Sequence, residues 1–382
     1  MKSMKHFKLY AVISVTAAIF FWGCKKDSDQ ATDPDPSGND PIGCVIDKNA
    51  ERDIAFRPDP GKQNRDLLLR GMGVEPTPCS VVTPINIWLV KQFTGWSQPA
   101  RDLTSREDLK MPYLAIYVAV LFEKNMQEQY FGLNGEYTDQ IKGTFNDLKR
   151  FWDIEAKNIG LVAAHGSQLR DRDKVYTVYR SQFGLSPDTS RSYADEVIAS
   201  LKKYPEYLNG NHPFLTFNAY AHQEKNYSCV GQVPDKVILG DGFLRAYDQL
   251  GYGDIAPQAI LAHEFAHQIQ YDLGIMDHSI KYTPEHSRRT ELMADAYAAY
   301  FLAHQEGNGK QWKRAQKFLD IFFNVGDCDF KNNLHHGTPD QRRAATVWGA
   351  NLANSPQDAN LILSGKRFAE LFDAELPDLV KQ

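Results

Sequence analysis

Residues 260–270 read ILAHEFAHQIQ, and the pattern around them leaves this segment few conformations. Ile255, Ala259, Ala262, Ala266 and Ile269 recur at three- and four-residue intervals, and Gly274 stands where a left-handed residue would end a helix. The repeat predicts an α-helix. Ile260, Leu261 and Phe265 widen its apolar stripe beyond that of a half-exposed helix, so most of the helix faces a core. Yet the segment carries His263, Glu264 and His267, and burying such groups costs free energy unless they are paired or bound to a cation. Positions 263 and 267 are i and i+4, so on a helix both imidazoles leave one face, a turn apart. A single metal ion can be reached by both.

An H-E-x-x-H pentapeptide arises by chance in a chain of this length and composition about twice in a hundred, so a third ligand carries the weight. Gln270 and Leu273 occupy the positions where the longer H-E-x-x-H-x-x-G-x-x-H pattern places its glycine and third histidine, which excludes that class. Downstream, TPEHSRRTELMADAYAAYFLAH predicts a second helix capped by Thr283, with Pro284 at its first position and Leu292, Ala296, Ala299 and Tyr300 along one side. Glu291 and Asp295 share a face of it. Glu291 is assigned as the third ligand of a zinc ion with water in the fourth position, and Asp295 as the partner of a ligand histidine, an assignment that can be swapped. The alternative for either carboxylate is a surface ion pair with Arg288 or Arg289. Glu264, next to the first ligand, is placed to act as general base toward the water, without being a ligand itself.

HEFAH followed by ELMAD resembles the glutamate-type zincins, in which H-E-x-x-H and a downstream E-x-x-x-D supply two histidines and a glutamate. The wider run from SCVGQVPDKVILGDG through GDCDFKNNLHHGTPDQRRAATVWG is similar to the bacterial neutral zinc metallopeptidases, whose pattern ends in a His-Gly-Thr-x-x-Gln-Arg segment. The likeness spans roughly Asn218 to Gly349. It implies a zincin-like catalytic unit, a small sheet beside two zinc-binding helices, and hydrolysis of peptide bonds. Within FLTFNAYAH, alternating β-formers predict a strand over 214–222, and Asn218-Ala219-Tyr220-Ala221 resembles the Asn-Ala edge strand that zincins lay beside an extended substrate. Asn218 and Ala219 are therefore candidate substrate-binding residues. His335, His336, His278, Tyr282 and Tyr220 are candidates to stabilise the oxyanion, with His336 the one assigned. Thr338, Pro339 and Gln341 also read as a capped helix start, which leaves structural roles open for Thr338 and for Arg342 or Arg343.

The remaining expectations concern organisation and location. Lys2, Lys5 and Lys8 precede an apolar run, Leu9 to Trp22, that is short for a membrane span and reads as a signal peptide over 1–23. Gly23-Cys24 resembles the lipobox of bacterial lipoproteins, so Cys24 would carry a lipid anchor on a polar tether over 24–41 and hold the protein in the bacterial cell envelope. Phe21 and Trp22 depart from the small and leucine-like residues usual there. Cys44, Cys79, Cys229 and Cys328 allow three disulfide pairings, and zinc ligation by Cys229 is the alternative. Residues 42–204, mixed and then helical, are expected to pack on a metallopeptidase domain over 205–382, giving a mostly helical α+β protein. A net charge of −5 without a basic stripe argues against nucleic acid as a partner. The competing function class is an envelope binding protein on the same scaffold without turnover; an intact Glu264 favours the enzyme.

Overall fold

A computed structural model of the chain describes residues 83–382, apart from 125–126, 278–279, 281–282, 309–316, 318–319, 323, 328–332, 334, 356–360 and 382. The signal peptide, Cys24, its tether, Cys44, Cys79, His278, Tyr282 and Cys328 lie outside the described residues. Cys229 is disulfide-bonded, which removes it as a zinc ligand.

The described part is a mostly helical α+β protein. Four helices precede the sheet: α1 (Pro84–Gln92), α2 (Gln98–Ser105), α3 (Met111–Phe122) and α4 (Thr138–Phe151). Strand β1 (Gly160–Ala164) is followed by α5 (Arg172–Ser181) and α6 (Pro187–Lys203). The chain then makes β2 (Ala219–His222), the hairpin β3 (Lys225–Tyr227) and β4 (Gly231–Val233), and β5 (Lys236–Gly240). Helices α7 (Asp241–Gln249), α8 (Ala256–Asp272), α9 (Pro284–Ala303), α10 (Pro339–Ala353) and α11 (Gly365–Leu379) complete it. None of the described helices is long and apolar enough to cross a membrane.

The main sheet has the order β1-β5-β2, with β1 parallel and β2 antiparallel to the central β5. Side chains alternate across it. Leu161, Ala163, Ala219, Val237 and Leu239 join a core with α8, whereas Val162, Ala164, Tyr220 and Ile238 join a second core with α3 and α5. Helices thus cover both faces, which explains why every residue of β1 and β5 is buried and why α3 is apolar on almost every side.

Two sequence expectations change here. The later part of 42–204, expected to be helical, is not helical throughout: α4 stops at Phe151 and Gly160–Ala164 is a strand. A short apolar run buried on both faces loses the period of two, so periodicity cannot distinguish it from a helix. The strand expected from Phe214 begins only at Ala219, because Pro213–Thr216 form a 3₁₀ turn. His212 starts that turn: its carbonyl accepts from Leu215 N–H at 3.0 Å and its Nδ1 from Phe214 N–H at 3.3 Å. The sheet also joins segments from either side of residue 204, since β1 pairs with β5 along its whole length.

Candidate metal centre

Helix α8 packs against β2 and β5 on one side and against α9 on the other, so its buried face points between sheet and helix. Thr283 caps α9 as expected, its hydroxyl accepting from His286 N–H at 3.2 Å. Three side chains converge in the gap: Nε2 of His263 and Nε2 of His267 are 3.2 Å apart, and the Glu291 carboxylate lies 3.4 Å from the first and 3.5 Å from the second. All three residues are at most 5% exposed. Among the described residues they form the one group of three or more such side chains able to hold a metal ion.

The outer nitrogens explain why both Nε2 atoms face inward. Nδ1 of His263 lies 2.8 Å from Oδ1 of Asp295, and Nδ1 of His267 lies 2.8 Å from Oε1 of Gln270. Both partners are acceptors there, so each Nδ1 carries a hydrogen and each Nε2 is the nitrogen left to face inward. Two inward-facing Nε2 atoms 3.2 Å apart, beside a carboxylate whose Oε2 has no hydrogen-bond partner, call for a positive charge among them, either a proton on His263 or a metal ion. The donor set therefore fits a metal.

Asp295 is in turn fixed by Arg342 from α10, whose Nε and Nη2 each donate to it at 2.7 Å, while Nη2 also lies 3.6 Å from Glu291. Arg342 is fully buried. It reaches this depth because α9 and α10 are in near contact: a Cβ at Gly349 would stand 2.2 Å from the Ala296 carbonyl oxygen. Thr338 and Gln341 make the expected reciprocal cap at the start of α10. Arg343, by contrast, pairs with Asp320 at the surface, and Arg289 with Asp373. Neither arginine competes for Glu291.

Electrostatics follow from burial and these contacts. Burial pulls His263 down, but Asp295 and Glu291 outweigh it and hold the imidazole up at about 9. His267, backed by a neutral amide, is driven by burial to about 4. Burial works against the Glu291 charge, but His336 and the two histidines beside it keep it well below the usual carboxylate range. Glu264 is 1% exposed, and burial pushes it up to about 8 despite the nearby Ala221 N–H.

The strand next to Glu264, β2, is an edge strand of the sheet, and all four of its residues are buried. Gly240 N–H donates to Asn218 O at 3.0 Å, and Tyr220 and His222 follow in the same register, so the main-chain groups of Ala219 and Ala221 point away from β5. Ala221 O accepts from Tyr271 OH at 3.2 Å. Asn218 uses its carbonyl within the sheet, and its side-chain Oδ1 is buried without a partner. Tyr220 points to the far face, edge-on to Tyr117, away from α8 and the metal ligands. Asp327 positions His336: Oδ2 accepts from His336 N–H at 2.7 Å and contacts its Nδ1 at 3.0 Å, while Oδ1 contacts His335 Nδ1 at 2.6 Å. Gly337, with φ +92°, turns this loop against Leu292, next to Glu291.

Sequence reading missed Gln270 and Asp327. Gln270 is i+3 from His267 on one helix face, a spacing that could have found it; nothing in the sequence marks Asp327. Comparison with protein-family models, with curated proteins and with solved structures finds no match for this chain.

Proposed function

We propose that this chain is a zinc-dependent peptidase with a zincin-like catalytic unit, held in the bacterial cell envelope by a lipid on Cys24. The observation that carries the reading is the convergence of His263, His267 and Glu291, with the two Nε2 atoms 3.2 Å apart, Glu291 Oε2 3.4 Å from His263 and Glu291 Oε1 3.5 Å from His267, alongside Glu264 and the edge strand β2. His263, His267 and Glu291 would hold the ion through two imidazole nitrogens and a carboxylate oxygen. Two imidazoles and one carboxylate with an open fourth position is also a donor set of catalytic zinc sites, and zinc so held lowers the pKa of bound water to roughly 7.

The chain's own residues supply the rest. Glu264 Oε1, buried without a hydrogen-bond partner, receives a proton from the attacking water and returns it to the leaving amide nitrogen. Its raised pKa, near neutrality, suits a group that must both take and give that proton. His336, oriented by Asp327, donates to the carbonyl oxygen as it gains charge. An extended peptide adds to the outward main-chain groups of Ala219 on β2. The test is metal analysis of the purified soluble part together with peptide cleavage with and without chelator. One zinc per chain and chelator-sensitive cleavage are expected; a zinc-loaded protein that cleaves no member of a broad peptide library would replace the enzyme with a binding protein. Cys24→Ser should move the protein from the membrane to the soluble fraction, and unchanged fractionation would remove the anchor.

A further inference from the structure

Gln270 is fully buried three residues beyond His267, and its amide joins two helices. Oε1 lies 2.8 Å from His267 Nδ1, and Nε2 donates to the carbonyl of Thr290, the residue before Glu291, at 2.7 Å. We propose that Gln270 is a positioning residue that holds His267 in the Nδ1–H tautomer and ties its imidazole to the turn of α9 that carries Glu291. The inference rests on the metal-binding reading above.

The polarity of the Gln270 amide is fixed by the main chain. A backbone carbonyl can only accept, so Thr290 O requires the NH₂ end of the amide. That leaves Oε1 toward His267, where an amide oxygen can only accept, so Nδ1 must bear the hydrogen and Nε2 must present a lone pair toward His263 and Glu291. The tautomer of one ligand is thereby set by the main chain of the helix that bears another. His263 gets its orientation differently, from the Asp295 carboxylate that Arg342 clamps. A neutral partner orients His267 without adding charge to a buried site that already holds Glu264, Glu291 and Asp295 against Arg342.

Two substitutions separate this role from a simple tie between helices. Gln270→Glu keeps an acceptor for His267 Nδ1 but loses the donor to Thr290 O, whereas Gln270→Leu loses both. Zn²⁺ affinity is read by competition with a chromophoric chelator, and ligand geometry by the d–d spectrum of the Co²⁺-loaded protein. Gln270→Leu should lose about 10- to 100-fold in Zn²⁺ affinity, as removal of outer partners does, and show an altered Co²⁺ spectrum; Gln270→Glu should bind like wild type or more tightly. If Gln270→Glu weakens as much as Gln270→Leu, the amide is only a helix tie, and if Gln270→Leu binds like wild type, the histidine does not depend on it; either result overturns the proposal. Should Gln270→Leu not fold, the comparison of Gln270→Glu with wild type decides, a tenfold loss counting against the role. Failure of wild type to bind zinc would instead sink the metal-binding reading itself.

Discussion

Two histidine–carboxylate pairs in this protein have the same bond and different company. His263 Nδ1 meets Asp295 at 2.8 Å on α8 and α9, and His165 Nδ1 meets Asp241 at 2.8 Å just beyond the C-terminal ends of β1 and β5. Both pairs are buried, His165 at 8% and His263 at 2% exposure. The His263 ring, however, turns its other nitrogen to His267 and Glu291, whereas the His165 ring is covered by Tyr130, stacked at 4.1 Å. A carboxylate-backed imidazole is therefore common to both regions, and convergence of further ligand atoms belongs to one. It is convergence that makes a metal centre.

The sharpest way to break that comparison is to remove each histidine in turn. His263→Ala should abolish stoichiometric zinc and cleavage and lower thermal stability, because metal binding and folding are linked. His165→Ala should leave zinc content and cleavage intact; a zinc loss there, measured by elemental analysis, would mean that the two pairs act as one site. Within the candidate metal centre, Glu264→Gln preserves size and all three proposed ligands but removes the proposed proton acceptor. Cleavage should fall about 10²- to 10⁴-fold with zinc retained, and wild-type turnover in this variant would end the general-base assignment. His336→Ala should cost about 10²- to 10³-fold in kcat, the range for one oxyanion donor, with zinc affinity near wild type. A rise in KM alone would instead make His336 a substrate contact.

The smallest effect is on stability, and its sign follows from proton binding. In the metal-free fold His263 is held at about 9 against an ordinary 6.5, and Glu264 at about 8 against 4.5. Between pH 6.5 and 8 both therefore keep protons that the unfolded chain has released, and the stability they contribute is lost as pH rises. His267, pulled down to about 4, acts the other way but only below about 6.5. The chelated protein should thus melt at lower temperature at pH 8 than at pH 6.5, and zinc, which replaces the proton on His263, should flatten that dependence. Equal slopes with and without zinc in thermal unfolding would count against metal binding at His263. No such zinc effect is expected from the pair at His165.

Much of the centre was legible because its geometry is local. Two candidate ligands lie in one helical turn, and Glu291 and Asp295 lie in another, so the i, i+4 spacing alone put each pair on one face. Asp295 meeting a ligand histidine and the Thr338–Gln341 cap follow from the same short-range rules. The sheet was less legible. β1 was hidden inside a helical reading because burial on both faces erased its period, and the turn at Pro213 moved the start of β2.

What the sequence determined by itself was therefore the set of chemical groups: an apolar helix forced to account for two histidines and a glutamate, and a second helix bringing two carboxylates. What only the tertiary structure decided was which of those groups face one another and what holds them there. Arg342 reaches Asp295 across 47 residues because two helices touch at Gly349; Asp327 reaches His336 across a loop; and the Thr290 carbonyl fixes which way the Gln270 amide points. None of these contacts repeats with a helix or strand period. They arise from packing between elements, where the orientation of a buried polar group is set by the need to leave no donor or acceptor without a partner.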